Sequence, residues 1–442
     1  MAVPTTAGTS TTPEDDLPGS AGQSLVDQYR EVRRRSQWIC DPLSAEDCML
    51  QSMPDASPIR WHLAHTTWFF ETFLLKQLDG YKVHHPAYES LFNSYYNAIG
   101  RPFPRHQRGL LSRPSVDEVQ QYRQHVDDHM QRWLTQTDLD ADQQTVVQIG
   151  LQHEQQHQEL MLTDIKHALS INPIYPVYRS DETRNNASLE SKSGQTWLHH
   201  DDPGVFEVGC KGDGFHFDNE APRHKTYIPP FAIARDLITC GQYRQFIDDG
   251  GYRQPGYWLS AGWSMVQSQR WDSPLYWTFN DDNWHHFTLH GLQVIDPDQP
   301  VSHLSYFEAD AYARYRDCKL PTEQQWEYAV SRDAAERHAA AESNRATADI
   351  TPSRRVVNGC DLRSVYGSLW QWTRSDYAAY PGYKPPGGAI GEYNGKFMCG
   401  CYVLRGGSCV TPPGHSRLTY RNFFDPSSRW QFTGIRLSKD LC

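Results

Sequence analysis

His153-Glu154-Gln155-Gln156-His157 places two imidazoles four residues apart. In a helix that spacing puts both on one face, roughly 6 Å apart, within reach of one metal ion. The stretch also spells HExxH, the zinc-peptidase pattern in which Glu154 would be the general base. Such peptidases need further ligands at set positions, and Gln158-Glu159-Leu160-Met161-Leu162 supplies none, so that reading is disfavoured. Two core histidines satisfied by hydrogen bonds are the simpler alternative, because an unpaired buried polar group costs about 1–3 kcal/mol. A second source of imidazole is Trp61-His62-Leu63-Ala64-His65. One histidine from it, added to the pair, makes a three-histidine site. Three neutral imidazoles on one octahedral face leave three positions open, which suits an iron(II) that must gather substrates and O2. His65 shares a stripe with Trp61, Trp68 and Leu75 and is the favoured ligand; His62 is its competitor.

Other residues fit around such a site. Tyr95 and Tyr96 in Asn93-Ser94-Tyr95-Tyr96 are either packing or phenols that hand a proton or hydrogen atom to oxygen chemistry. Adjacent residues of an extended loop point apart, so only one of the two is expected to face the metal. Arg101, Arg105, Arg108 and Arg113 follow; they read as a solvated basic loop or as a fork for a substrate carboxylate. A second HxxxH, His125-Val126-Asp127-Asp128-His129, lies off its helix's apolar stripe and reads as a solvated flank. Cys399-Gly400-Cys401 is the one tight cysteine pair and reads as two loop thiols.

The elements that must carry these residues show in the hydrophobic period. Stripes run through Leu25, Tyr29 and Val32; through Trp61, His65, Trp68, Thr72 and Leu75; through Val119, Tyr122, Val126, Met130 and Trp133; and through Ile149, His153, His157, Leu160 and Asp164. They predict a four-helix bundle over 23–172, with a loop at about 77–114 whose length marks it as either functional or disordered. Residues 1–22, rich in Thr, Pro, Ser, Gly and Ala, read as a disordered tail, and 173–196 as a linker. From 197 to 442 the chain is rich in Gly, Pro, Trp and Tyr, which predicts an irregular α+β domain with helices near 239–249 and 305–317.

Composition narrows the function classes. Among 442 residues, 42 basic against 53 acidic groups leave a net charge of −11, a poor match for nucleic acid. Hydrophobic residues are 38% and aromatics 12%, too aromatic for disorder, and no apolar run approaches the roughly 20 residues of a membrane span. The N-terminus shows neither a basic n-region nor an apolar h-region, so a cytoplasmic protein with mostly reduced thiols is expected.

These residues together resemble a known family. Residues 23–172 look like a DinB-like bundle. Residues 197–442 resemble the formylglycine-generating-enzyme (sulfatase-modifying factor) domain, which has a C-type-lectin-like fold, through Phe217-Asp218-Asn219-Glu220 with Pro222, Gly250-Gly251-Tyr252 and Lys319-Leu320-Pro321-Thr322-Glu323 running to Trp326-Glu327-Tyr328. Trp370-Gln371-Trp372-Thr373, Leu404-Arg405-Gly406-Gly407-Ser408 and Gly434-Ile435-Arg436-Leu437 continue it. The pairing is similar to the ergothioneine-biosynthesis sulfoxide synthases (EgtB-type).

The resemblance implies an Fe(II), O2-dependent enzyme that joins cysteine sulfur to the imidazole C2 of hercynine (Nα-trimethylhistidine) as a sulfoxide. It implies His65, His153 and His157 as iron ligands and Gln156 as a contact to the histidine-derived substrate. Tyr95 and Tyr96 look like one branch's substitute for the catalytic tyrosine that many members carry in the C-terminal domain. Members using γ-glutamylcysteine tend to show Asn-Trp-Asp-x-Pro-x-Arg; here Asn422-Phe423-Phe424-Asp425-Pro426-Ser427-Ser428 puts Phe424 and Ser428 at the charged positions, which favours free cysteine. Arg101 and Arg105 would hold its carboxylate, and Phe423 and Phe424 would face the trimethylammonium group. The rivals are an ovothiol-type synthase using histidine, whose chains usually carry a further C-terminal methyltransferase domain, a related selenoxide synthase, and an inactive binding module.

Overall fold

The computed structural model describes residues 24–180, 194–212, 214–335, 337–338, 341 and 350–441. The expected tail, 1–22, and residues 181–193 of the expected linker lie outside them. The N-terminal half is helical: α1 (Leu25–Cys40), α2 (Ile59–Phe73), a single turn α3 (Tyr88–Leu91), α4 (Val116–Gln136) and α5 (Ala141–Ser170). Side chains set the starts. Ser24 accepts from the Asp27 amide, and Ser115–Glu118 and Asp140–Gln143 form capping boxes at α4 and α5.

Helix α2 is the centre of the bundle. Every residue from Ile59 to Thr72 is buried, as expected of a helix surrounded by partners. It packs on α4 and α5, and α1 packs on α5 and α4. The expected stripe of α4, Val119 to Trp133, is the buried face of that helix. The α2–α5 contact is unusually close at Gly150, where a Cβ would lie 2.6 Å from the Phe70 ring and 3.0 Å from Phe69. A side chain there would push apart the two helices that carry the histidines. The long loop between α2 and α4 is not structureless: it holds α3 and a 3-10 segment, Arg105–Leu110.

The C-terminal half is an α+β domain of short strands. It contains β1 (Trp197–His200), β2 (Gly204–Val208), β3 (His224–Ile228), β4 (Phe231–Ala234), β5 (Trp277–Asn280), β6 (Asn283–Thr288), β7 (Gly291–Val294), β8 (Trp370–Asp376), β9 (Tyr402–Gly406), β10 (Asn422–Phe424), β11 (Thr433–Gly434) and β12 (Ser438–Asp440). The sheets run β1-β4-β12, β10-β9-β8-β11, β2-β3 and β5-β6-β7. Two expected helices are present, α6 (Cys240–Asp248) and α8 (Tyr306–Tyr315), and two more, α7 (Ser260–Gln269) and α9 (Glu323–Arg332), were not legible. Helix α7 buries only Gly262 and Val266, too little for a stripe. In α9 the apolar pattern is masked by Glu323 and Glu327, which are buried as partners of Arg405 at 3.0 and 2.9 Å.

The two halves meet along α5. Glu159 accepts from Trp370 Nε1 (2.7 Å), Ser408 Oγ (2.8 Å) and Thr411 Oγ1 (2.7 Å). Gly406, beside Ser408, has φ +97°, and a Cβ there would stand 2.4 Å from the Val365 carbonyl, so the backbone requires glycine. Among the described residues no helix is long and apolar enough to cross a membrane. All nine described cysteines are free thiols, Cys399 and Cys401 among them.

Candidate metal centre

Helices α2 and α5 bring His65, His153 and His157 together; one ring nitrogen of each lies within 4.8 Å of the others. His65 donates from Nδ1 to the Phe92 carbonyl at 2.6 Å, which leaves its Nε2 lone pair facing His153 Nε2, 3.2 Å away. All three rings are buried, and burial holds their pKa down: His153 at about 3, His65 and His157 well below the ordinary histidine value. Neutral imidazoles with converging lone pairs are a metal ligand set of borderline softness. His153 Nδ1 has no hydrogen-bond partner. Trp61 and Trp68 sandwich His65 with centroids at 4.6 and 5.5 Å, and Phe69 and Tyr393 flank His153 at 4.9 and 5.7 Å. The donor set fits a metal ion in an aromatic pocket.

His62, the competitor, faces the same cluster from behind. Its Nδ1 is 2.7 Å from His157 Nδ1, and its Nε2 donates to Asp164 Oδ2 at 3.1 Å. Glu154 turns away. It accepts from Arg33 (2.8 Å), Arg123 (3.1 Å) and Ser36 (2.5 Å) with no exposed surface. Burial raises its pKa, but the two guanidinium groups outweigh that and bring it to about 2. A carboxylate so held cannot act as the general base of an HExxH peptidase.

A second grouping, Asp333, His338 and Cys360, also gathers ligand atoms. There the Asp333 carboxylate is already used: it accepts from the Asp361 and Leu362 amides at 2.7 Å and from His338 Nε2 at 3.1 Å. It reads as a loop clasp.

Tyr95 and Tyr96 do not point apart as expected; their rings stack at 4.6 Å and their hydroxyls are 3.5 Å apart. The reason is Asn93, whose Oδ1 accepts from the Tyr96 amide and whose Nδ2 donates to the Tyr96 and Gly100 carbonyls, curling a segment taken as extended. Tyr96 is buried against Trp68 and Phe73, and Tyr95 faces Tyr393 and Phe397. Of the arginines, Arg101 and Arg105 are exposed, whereas Arg108 is buried, donating to Ser57 (2.9 Å) and Ser94 (3.0 Å) with its guanidinium 3.3 Å from the Trp61 ring centre. Asn422, Phe423 and Phe424 form β10 at the sheet edge; Phe423 stacks on Tyr377 at 3.9 Å and Phe424 lies 6.4 Å from Trp430. Phe423 reaches Tyr95 only through Phe397, and neither phenylalanine touches the three histidines.

Gln156, like Glu159, bridges the two halves. Its Nε2 donates to Tyr420 Oη at 2.7 Å and its Oε1 accepts from Tyr393. Phe217 stacks on Tyr393 at 5.2 Å, and His415 Nε2 lies 3.2 Å from Tyr420 Oη. Tyr393, Tyr420, Phe217 and His415 were not singled out as site residues. Tyr393 lies in an irregular stretch with no period, so Gln156, one residue from a ligand candidate, is the only signal that leads to it.

A model of the DinB superfamily matches residues 28–161, and one of the sulfatase-modifying factor enzyme 1-like domain matches 202–441. The hercynine oxygenase of Mycolicibacterium thermoresistibile is 30% identical over 94% of this chain and 95% of its own. That of Mycobacterium tuberculosis is 30% identical over 95% of this chain and 99% of its own. Ergothioneine biosynthesis protein 1 of Schizosaccharomyces pombe is 25% identical over 51% of this chain and 28% of its own. With nearly the full length of two hercynine oxygenases aligned across both halves, the chain belongs to the hercynine oxygenase family.

Proposed function

We propose that this chain is a non-haem iron(II), O2-dependent sulfoxide synthase acting in ergothioneine biosynthesis. The overall balance is cysteine thiol plus imidazole C2–H plus O2, giving the C–S bonded sulfoxide plus water. The observation that carries the reading is the cluster of three buried neutral imidazoles, two of them on α5, the helix that also presents Gln156 to the C-terminal domain. Bound by His65, His153 and His157, iron(II) supplies reaction with O2 and acidification of a coordinated thiol. The two domains, 23–172 and 197–442, close over it, and the free thiols support a reducing, cytoplasmic setting.

The chain's own groups do the positioning. Tyr393 and Tyr420 pin the Gln156 carboxamide yet leave it one N–H and one lone pair for an imidazole substrate. The Tyr393, Phe217 and Tyr95 rings cluster beside Gln156, with Lys396 already over Tyr95 and Arg417 over Phe217, and a trimethylammonium group meeting such rings would gain ~0.5–2 kcal/mol per face. Phe423, Phe424 and Asn422 on β10 would form the outer wall of the substrate site, where Phe424 and Ser428 offer no charge to a γ-glutamyl arm, so cysteine is the preferred donor. Arg108, held by two hydroxyls and an indole face rather than by a carboxylate, is the buried cation best placed for its carboxylate, with Arg101 and Arg105 at the rim. The Tyr95–Tyr96 pair supplies the proton or hydrogen atom that steers flux to C–S bond formation and away from cysteine sulfinic acid.

The test is incubation of the iron-loaded chain with O2, hercynine and equal cysteine and γ-glutamylcysteine. The hercynine–cysteine sulfoxide should dominate. Preference for the longer thiol sinks the donor assignment, turnover of histidine in place of hercynine makes the chain an ovothiol-type enzyme, and absence of any product makes it a binding module.

A further inference from the structure

The protonation of His157 is dictated by a chain of hydrogen bonds that ends in a buried carboxylate. Asp164 lies seven residues after His157 on α5, two turns along the same face. Its carboxylate only accepts: Oδ2 takes the Ser57 amide at 2.8 Å and His62 Nε2 at 3.1 Å, and Oδ1 has no partner. His62 therefore carries its proton on Nε2 and offers a lone pair at Nδ1. That lone pair is 2.7 Å from His157 Nδ1, so His157 must be the donor there. Its proton sits on Nδ1 and its Nε2 is left bare. The three histidines are thus oriented differently. His65 is fixed by a backbone carbonyl, His157 by an imidazole and a carboxylate, and His153 by no hydrogen bond at Nδ1.

We propose that His62 and Asp164 are positioning residues, a carboxylate–imidazole relay that presents His157 Nε2 to the metal and strengthens it as a donor. This rests on the reading of His65, His153 and His157 as the metal ligands. Partners behind a ligating histidine typically account for 10–100-fold in metal affinity. A stronger donor also favours the oxidised ion, so the relay lowers the reduction potential of bound iron.

The test measures Fe(II) dissociation constants by chelator competition and midpoint potentials for His62→Ala, His62→Gln, Asp164→Asn and His65→Ala. His62→Ala should weaken iron binding roughly 10–100-fold and regain part of it with added imidazole. His62→Gln, whose carboxamide oxygen can still accept from His157 Nδ1–H, should lose less, and it also covers the case in which the alanine variant does not fold. Asp164→Asn should raise the potential while iron still binds. Unchanged affinity and potential in His62→Gln and Asp164→Asn overturns the proposal. So does loss of iron in His62→Gln as complete as in His65→Ala, which would make His62 a ligand. If His65→Ala binds iron like the unaltered chain, the underlying metal-site reading fails instead.

Discussion

Two helices of the chain, α4 and α5, each carry HxxxH, with opposite outcomes. In α4 the rings of His125 and His129 are 4.5 Å apart; in α5 those of His153 and His157 are 4.6 Å apart. The first pair is half-buried beside Tyr81 and His84, and His129 Nδ1 donates to the His125 carbonyl of its own helix. The second pair is buried and meets His65. Both helices are anchored through an acid to one buried cation: Arg33 donates to Asp127 at 2.7 Å and to Glu154 at 2.8 Å. Each residue turns a helix by about 100°. Asp127 follows its first histidine by two residues, which puts that pair on the far side of α4 from Arg33. Glu154 follows by one, which lets α5 hold its acid on Arg33 and swing its histidines toward α2. Spacing makes a pair; the position of the acid decides which way the pair faces.

The largest effect is expected for His153→Ala or His157→Ala, each of which should abolish both iron binding and sulfoxide formation, read by metal analysis and product chromatography. Next is Glu154→Gln, which leaves Arg33 and Arg123 without their shared charge and should cost about 3–5 kcal/mol in denaturant unfolding. The acid dependence follows the same carboxylate. Its folded pKa is about 2 against an ordinary 4.5, so it adds on the order of 3 kcal/mol that is fully present above pH 4.5 and is lost as pH falls toward 2. Glu154→Gln should flatten that limb of the stability–pH curve; a curve of unchanged slope removes Glu154 from its cause.

A smaller, diagnostic change is expected at the tyrosines. Tyr95→Phe should keep fold and iron while raising the share of cysteine sulfinic acid over sulfoxide. A product ratio unmoved in Tyr95→Phe, Tyr96→Phe and the double variant would move the proton source to Tyr393 or Tyr420. The smallest effect is expected where the comparison predicts none: His125→Ala and His129→Ala should leave iron stoichiometry at the unaltered level, and a loss of iron in either would erase the distinction between the two pairs.

What was legible in the chain was whatever repeats with a period. Helices α2 and α5 announce themselves because their histidines recur at helical spacing among apolar residues, unlike the off-stripe His125 and His129, although α2 is buried on every side and Ile149 and Leu160 of the α5 stripe are only half-buried. What was not legible depends on closure between distant segments. Tyr393 and Tyr420 reach Gln156 from 237 and 264 residues away. The Tyr95–Tyr96 stack depends on how Asn93 folds back on its own loop, which alternation along an extended chain does not predict. Arg108 stands out from Arg101 and Arg105 only because Trp61 and Ser57 receive it. Helix α9 was hidden because its buried glutamates find arginines about 80 and 100 residues onward, so charge stood where a stripe would need apolar side chains.

In the proposed function the α5 pair, with His65, holds the iron that joins cysteine to hercynine. The most direct measurement is iron stoichiometry and sulfoxide yield, on the same samples, for the unaltered chain, His157→Ala and His129→Ala. The account predicts one iron per chain and product for the unaltered chain and His129→Ala, and neither for His157→Ala. Iron and product retained in His157→Ala would contradict it.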